Sequence, residues 1–295
     1  MSDFSQHGGI APEWELLVES QPQLTFPLNI TAIELRQLTN DSRAQAAQKL
    51  IAGVDTVHKK DFALGVGSED SITLRVYKRM TAKPEPGKLP IYIWYHGGGF
   101  LFGSLDGEDG HCFNMVQKLD VIVVHVCYRH TPEYPWPVPR QDALAGFNWV
   151  FDHVDELGGD PNKVIVSGRS AGGLLAAIVA IQDREQHGKN RIQGQILDIP
   201  VLCHSANFPA HLILPGKGSY EENRLAPLLP VTRLDLFESL LGENASTDRL
   251  YNVLLLEDES LKGSPTTHFQ IAGRDILRDQ SFLFMDKLQR LGYEN

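Results

Sequence analysis

Two stretches of the chain carry residue types and spacings suited to acyl transfer. Gly168-Arg169-Ser170-Ala171-Gly172-Gly173 sets one serine among glycines. Before it, 163–167 reads as a buried strand; after it, 174–180 is a run of small and apolar residues that continues as a helix. A tight strand-to-helix turn accepts only small neighbours and pushes its central hydroxyl out at the top of the sheet. Ser170 is therefore the candidate nucleophile. The competing reading is an incidental serine in a glycine-rich turn, and the flanking strand and helix weigh against it.

The second stretch, His96-Gly97-Gly98-Gly99-Phe100, directly follows a strand over 90–95. Acyl transfer creates an oxyanion, which needs backbone N–H donors pointing inward with no side chain in the way, and consecutive glycines permit this. With the amide of Ala171 this loop would complete an oxyanion hole. The alternatives are a flexible turn or a phosphate-binding nest. A phosphate loop would carry a Lys-Ser/Thr and open a helix, and this loop does neither. Asp275 is the first carboxylate beyond a strand over 267–272, which sets it at the same edge of the sheet. It reads either as the acid of a catalytic triad or as the cap of a helix over 277–291. Asp279, one turn into that helix, is expected to face elsewhere.

Taken in order with Tyr128-Arg129-His130-Thr131-Pro132-Glu133 and Gly273-Arg274-Asp275-Ile276-Leu277-Arg278-Asp279, these stretches resemble the hormone-sensitive-lipase-like branch of the α/β-hydrolase esterases. The resemblance covers most of the chain. It implies an α/β-hydrolase fold: a mostly parallel central sheet of eight strands, helices on both faces, and a lid made largely by the N-terminal segment. It also implies a carboxylesterase with a small-molecule ester substrate, no metal and no cofactor. Gly98 and Gly99 look like the loop donors beside Ala171, with Gly97 shaping the turn, and Asp275 like the triad acid. Residues 219–223 and 265–270 look most like fungal members. Arg169 stands where this family is usually acidic, Ile276 where a proline is usual, and His268 where an aromatic is common.

In this fold the triad runs serine, acid, histidine along the chain, yet no histidine follows Asp275. The helix over 277–291 uses most of the residues left, and a strand of about five or six residues would still have to follow. The chain is therefore expected to lack the final strand, the histidine loop and the closing helix, and the general base is unassigned. Of the 11 histidines, His96, His130 and His204 follow strands and so sit at the right edge of the sheet. His96 belongs to the glycine loop, while His130 and His204 also read as hydrogen-bonded loop residues. His125, inside a strand, reads as core.

The elements that must position these groups follow from periodicity. A short helix over 12–20 precedes a capping box, Thr31-Ala32-Ile33-Glu34, that opens a helix to about residue 51. Residues 1–55 are read as the helical lid segment, with a peripheral helix pair as the alternative, and 56–295 as the hydrolase core. Residues 71–78 alternate as a half-exposed strand does, and Pro84, Pro86 and Gly87 mark the turn after it. The apolar runs 90–95 and 121–128 read as strands covered on both faces, hence a parallel sheet. A helix over 142–154 and a strand over 194–201 complete the alternation.

Composition agrees with one soluble α/β domain: 295 residues, 42% hydrophobic and 22% charged. The formal net charge of -10 speaks against nucleic acid as a partner. No stretch has the apolar length of a membrane span, and 1–9 has no signal-peptide pattern, so a cytoplasmic protein is expected. The three cysteines are widely spaced in apolar surroundings and read as reduced, buried thiols with no metal-binding spacing. Three activities remain open: ester hydrolysis through an acyl-enzyme at Ser170, weak in a chain without its base; small-molecule binding by a catalytically dead relative; and a non-hydrolytic reaction in the same pocket. The intact serine and glycine loop favour the first.

Overall fold

The computed structural model describes residues 1–20, 30–80, 87–188 and 191–293. Its centre is a sheet of seven strands: β1 (Val57–Val66), β2 (Asp70–Arg79), β3 (Leu89–Tyr95), β4 (Ile122–Cys127), β5 (Gly159–Arg169), β6 (Gly194–Asp198) and β7 (Thr266–Gln270). They lie in the order β1-β2-β4-β3-β5-β6-β7. The pairs β1·β2 and β2·β4 are antiparallel, and every pair from β4 to β7 is parallel. Parallel strands need crossovers, and crossovers lay helices on the sheet faces. That explains the unbroken apolar sequences of β3 and β4, whose central residues are buried.

The helices are α1 (Pro12–Ser20), α2 (Ala32–Ile51), α3 (Leu105–Lys118), α4 (Val138–Asp152), α5 (Val154–Leu157), α6 (Ala171–His187), α7 (Ser219–Glu222), α8 (Val231–Leu241), α9 (Asn244–Thr247), α10 (Asp258–Leu261) and α11 (Arg278–Arg290). Helix α6 is buried almost throughout from Ala171 to Ile181 and packs on β3, β5 and β6. Its run of Gly, Ala, Leu, Ile and Val lets the backbone come close to the sheet. Helix α2 is the opposite case. Its Thr31 box forms as expected, with the Glu34 N–H donating to Thr31 Oγ1 at 3.2 Å and the Thr31 N–H to Glu34 at 2.9 Å. Yet of its side chains only Ala47 is buried. A helix this polar is held by specific side-chain bonds more than by an apolar stripe.

Among the elements that differ from the expectation, three stand close to the sheet that carries the site. Strand β1 was not anticipated, because His58, Lys59, Lys60 and Asp61 on the sheet's edge break the apolar alternation. Helix α3 has a weak local signal too: Gly107 and Gly110 argue against a helix, and tertiary pairing overrides them. Asp109, fully buried there, accepts from Lys59 Nζ at 2.6 Å, Tyr77 Oη at 2.9 Å and Arg75 Nη1 at 3.1 Å. Strand β6 stops at Asp198 instead of 201, since Ile199 turns to φ 43° ahead of Pro200. Pro84 and Pro86 lie outside the described residues. Among the described residues β7 is the last strand of its sheet edge, against the eight strands that the resemblance implies.

Candidate active site

The predicted site residues collect at the C-terminal ends of β3, β5, β6 and β7. Ser170 follows β5 directly and has φ 53°, ψ -114°, a left-handed backbone that a non-glycine residue rarely adopts. It is held there from both sides: the Ser170 N–H donates to the Asp198 carbonyl at 2.8 Å, and the Ser170 carbonyl accepts from Val201 at 3.2 Å. Its flanking glycines are required by space. A Cβ on Gly168 would stand 2.0 Å from the Gly172 carbonyl oxygen, and one on Gly172 2.0 Å from that of Tyr95. Ala171 is the first residue of α6, where an N–H has no acceptor within the helix.

The glycine loop faces this turn. Gly98 has φ 144° and Gly99 φ 61°, and a Cβ on Gly99 would collide with the Phe237 ring at 2.1 Å. The Gly98 carbonyl accepts from Leu101 and Phe102, while the Gly98 and Gly99 N–H groups donate to no carbonyl among the described residues. Phe100, Leu101 and Phe102 are buried; Phe102 and Leu101 pack with Phe237 into one apolar wall.

Asp275 lies in the loop after β7. The Leu277 N–H donates to its Oδ1 at 2.9 Å. Burial pushes its carboxyl up to about 6, opposed by that N–H and reinforced by the Asp198 charge nearby. The loop is braced from behind by residues that the sequence did not single out for this role. Asn223 Nδ2 donates to the Asp275 carbonyl at 3.0 Å, and Ser219 Oγ to the Ile276 carbonyl at 2.7 Å. Asp279 is buried, pairing with Arg278 at 2.9 Å and accepting from the Ser219 N–H at 2.6 Å. Arg169 Nε donates to Asp198 at 2.6 Å and its guanidinium stacks over Trp94, so its charge is matched by a carboxylate one strand away.

A family model described as alpha/beta hydrolase fold matches residues 92–294. The chain belongs to the α/β-hydrolase family. Esterase LipI of Mycobacterium tuberculosis is 32% identical over 227 residues, 77% of this chain and 68% of its own. Carboxylesterase NlhH of the same species is 30% identical over 271 residues, 91% of this chain and 81% of its own. A solved structure titled vibralactone cyclase superposes with a TM-score of 0.87 at 26% identity, covering 96% of this chain and 83% of that one. Within the family these relatives set the chain in the hormone-sensitive-lipase-like carboxylesterase branch.

In this hydrolase no described histidine reaches Ser170. His96 is buried, stacks on Tyr128, and has both ring nitrogens engaged: Nδ1 with the Gly97 carbonyl at 3.3 Å and Nε2 with His130 Nε2 at 3.3 Å. For both contacts to be hydrogen bonds, His96 carries its proton on Nδ1 and His130 donates from Nε2. His204 accepts from the Ala206 N–H on Nδ1 and sets Nε2 3.6 Å from Glu238. His125 is fully buried and neither of its ring nitrogens has a partner, as befits a core position. A cleft of about 510 Å³ lies elsewhere, lined by Arg36, Arg75, Cys127, Arg129 and His130 among others, and includes neither Ser170 nor Asp275.

Proposed function

We propose that this α/β-hydrolase cleaves small or medium-chain carboxylic esters through an acyl-enzyme on Ser170. The observation that carries the reading is the left-handed Ser170 on the first turn of α6, facing a glycine loop with free N–H donors. Ser170 Oγ attacks the ester carbonyl, and the negative charge that forms on its oxygen is met by the N–H groups of Gly98, Gly99 and Ala171. The C–O bond to the alcohol then breaks, the alcohol leaves with a proton, and water releases the acid from the serine. Asp275 is the acid of the relay, and the described part of residues 1–55 covers the pocket as its lid. Three free thiols suit a cytoplasmic location.

The serine proton needs an acceptor, and among the described residues no histidine hydrogen-bonds Ser170, so turnover by this chain is expected to be weak. Loss of one triad member removes on the order of a millionfold in the best-studied protease. The test is hydrolysis of a nitrophenyl acetate ester by the chain and by Ser170→Ala, each with and without added imidazole. After subtraction of the protein-free rate at each imidazole concentration, the chain should show slow turnover that imidazole raises, and Ser170→Ala should lose both. Equal turnover in the two proteins would remove Ser170 as the nucleophile. A second reading, a non-hydrolytic reaction in the same pocket, is favoured by the engaged histidines and by the likeness to the cyclase; product analysis separates it from hydrolysis.

A further inference from the structure

We propose that α2 is a clamp on the oxyanion loop, in which Asn40 fixes one end of the loop and Arg43 fixes the other while polarising the peptide that carries the Gly98 N–H. The inference rests on the serine-esterase reading for its functional meaning, and on geometry alone for the clamp.

Asn40 and Arg43 are three residues apart and so share one face of α2. Asn40 bonds Gly103 in both directions: its Nδ2 donates to the Gly103 carbonyl at 2.9 Å, and the Gly103 N–H donates to its Oδ1 at 2.8 Å. Gly103 has no freedom to move inward, since a Cβ there would lie 2.0 Å from the His96 ring. At the other end Arg43 Nη1 donates to the Gly97 carbonyl at 3.1 Å, with the guanidinium over the Phe102 ring. Two turns before Arg43, Arg36 donates to the Thr131 carbonyl at 3.0 Å and pairs with Glu133. The Thr131 N–H in turn donates to the Phe100 carbonyl at 2.9 Å. Residues 97–103 are thus held at both ends and in the middle by a helix that buries only one of its own side chains.

The contact at Gly97 has a chemical consequence. The Gly97 carbonyl and the Gly98 N–H belong to one peptide unit. A cationic donor on the carbonyl draws electron density through that unit and makes its N–H a stronger donor, as hydrogen-bond chains polarise one another in a low dielectric. Arg43 is therefore a positioning residue that acts through Gly98 and never touches substrate. Asn40 holds geometry only.

The test uses the full chain with glycine-selective ¹⁵N labelling, and the variants Asn40→Leu, Arg43→Met, Arg43→Lys and Thr31→Ala. Arg43→Met should move the Gly98 ¹⁵N resonance upfield. Arg43→Lys, which can still donate to Gly97, should move it less. Thr31→Ala weakens α2 at its cap without touching the loop and should leave it in place. Deuterium uptake over 97–103 should quicken about tenfold in Asn40→Leu and Arg43→Met. The Ser170-dependent turnover should fall about tenfold in kcat with KM unchanged, less than the loss of a donor outright. A fixed Gly98 resonance in Arg43→Met, or unaltered uptake over 97–103 in both variants, overturns the clamp. If Arg43→Met or Asn40→Leu does not fold, Arg43→Lys and Asn40→Asp, which keeps the acceptor for Gly103, must show the same changes at smaller size, and their absence overturns it equally. Should Ser170→Ala leave turnover intact, the esterase reading fails, while the resonance and exchange still judge the clamp.

Discussion

Asp275 holds its proton to a higher pH than a carboxyl in water does, because its loop is buried and one N–H is a modest counterweight. A raised carboxyl favours the folded state at low pH: the contribution is complete below 3.8 and is lost as the pH rises through about 6. Asp275→Asn keeps the Leu277 bond and removes the buried charge. Its unfolding free energy in urea should therefore exceed the parent's at pH 8, by up to about 3 kcal/mol, and approach it near pH 4. Equal values at pH 8 would contradict the burial argument. With no histidine to link Asp275 to Ser170, the weak Ser170-dependent turnover should change little in the same variant, because losses within one relay are not additive. Ser170 and the glycine loop were legible in the sequence because each needs a residue type that few others can replace. Asn40 and Arg43 were not, since an Asn and an Arg on a polar helix look like a solvated face. Nor was the role of Arg169, whose partner Asp198 is set opposite it by the β5·β6 register alone.

The turn from β5 into α6 is built with no room to spare. An added Cβ at Gly168 or Gly172 meets backbone oxygen at 2.0 Å, and backbone on a central strand cannot swing aside as a side-chain tip can. Gly168→Ala and Gly172→Ala should each cost several kcal/mol, at the upper end for single substitutions. Gly188→Ala, at the end of α6, is the control: its φ of 64° disfavours alanine, but the added carbon meets nothing within 4 Å, so about 1 kcal/mol is expected. Urea midpoints of the three variants check the order, and a Gly168→Ala midpoint as close to the parent's as that of Gly188→Ala would contradict it. Elements with their own strong signal were readable in the same way: β3 and β4 by unbroken apolar runs, α2 by its capping box. Strand β1 and helix α3 are tied together instead through Lys59 on Asp109, which Arg75 and Tyr77 of β2 also hold, and long-range pairs of this kind leave no local pattern.

Across the whole molecule four histidines, His96 and His125 buried and His111 and His130 half-buried, weigh on the response to acid. Burial lowers His125 to about 3, His130 and His111 to about 4, and His96 well below 6.5. A histidine held neutral stabilises the fold fully above its unfolded value of 6.5, and this contribution fades as the pH drops toward 4 and then 3. It opposes Asp275, but four groups outweigh one. The urea midpoint should fall steeply between pH 6.5 and 4. His125→Val should flatten that fall, since His125 makes no hydrogen bond to lose and valine suits a buried strand. An identical pH slope in parent and variant would rule out His125 as a source of acid sensitivity. The parallel character of the sheet was legible from alternation, its strand order was not, and neither was this acid response, because it depends on which histidines end up without water.

The three thiols also make the protein its own stopwatch. Cys112 sits inside α3, Cys203 in the seam after β6, and Cys127 at the floor of the 510 Å³ cleft. Burial pushes all three up, Cys127 to about 12, so alkylating reagents find almost no thiolate while the fold is closed. Cys112 and Cys203, both buried, are labelled only when their own neighbourhoods open, with half-buried Cys127 on the cleft as the early reference, and the mass of each tryptic fragment records when that happened. If α3 breathes before the seam beside Ser170, Cys112 is tagged ahead of Cys203, and a single untouched chain reports the sequence in which its layers part.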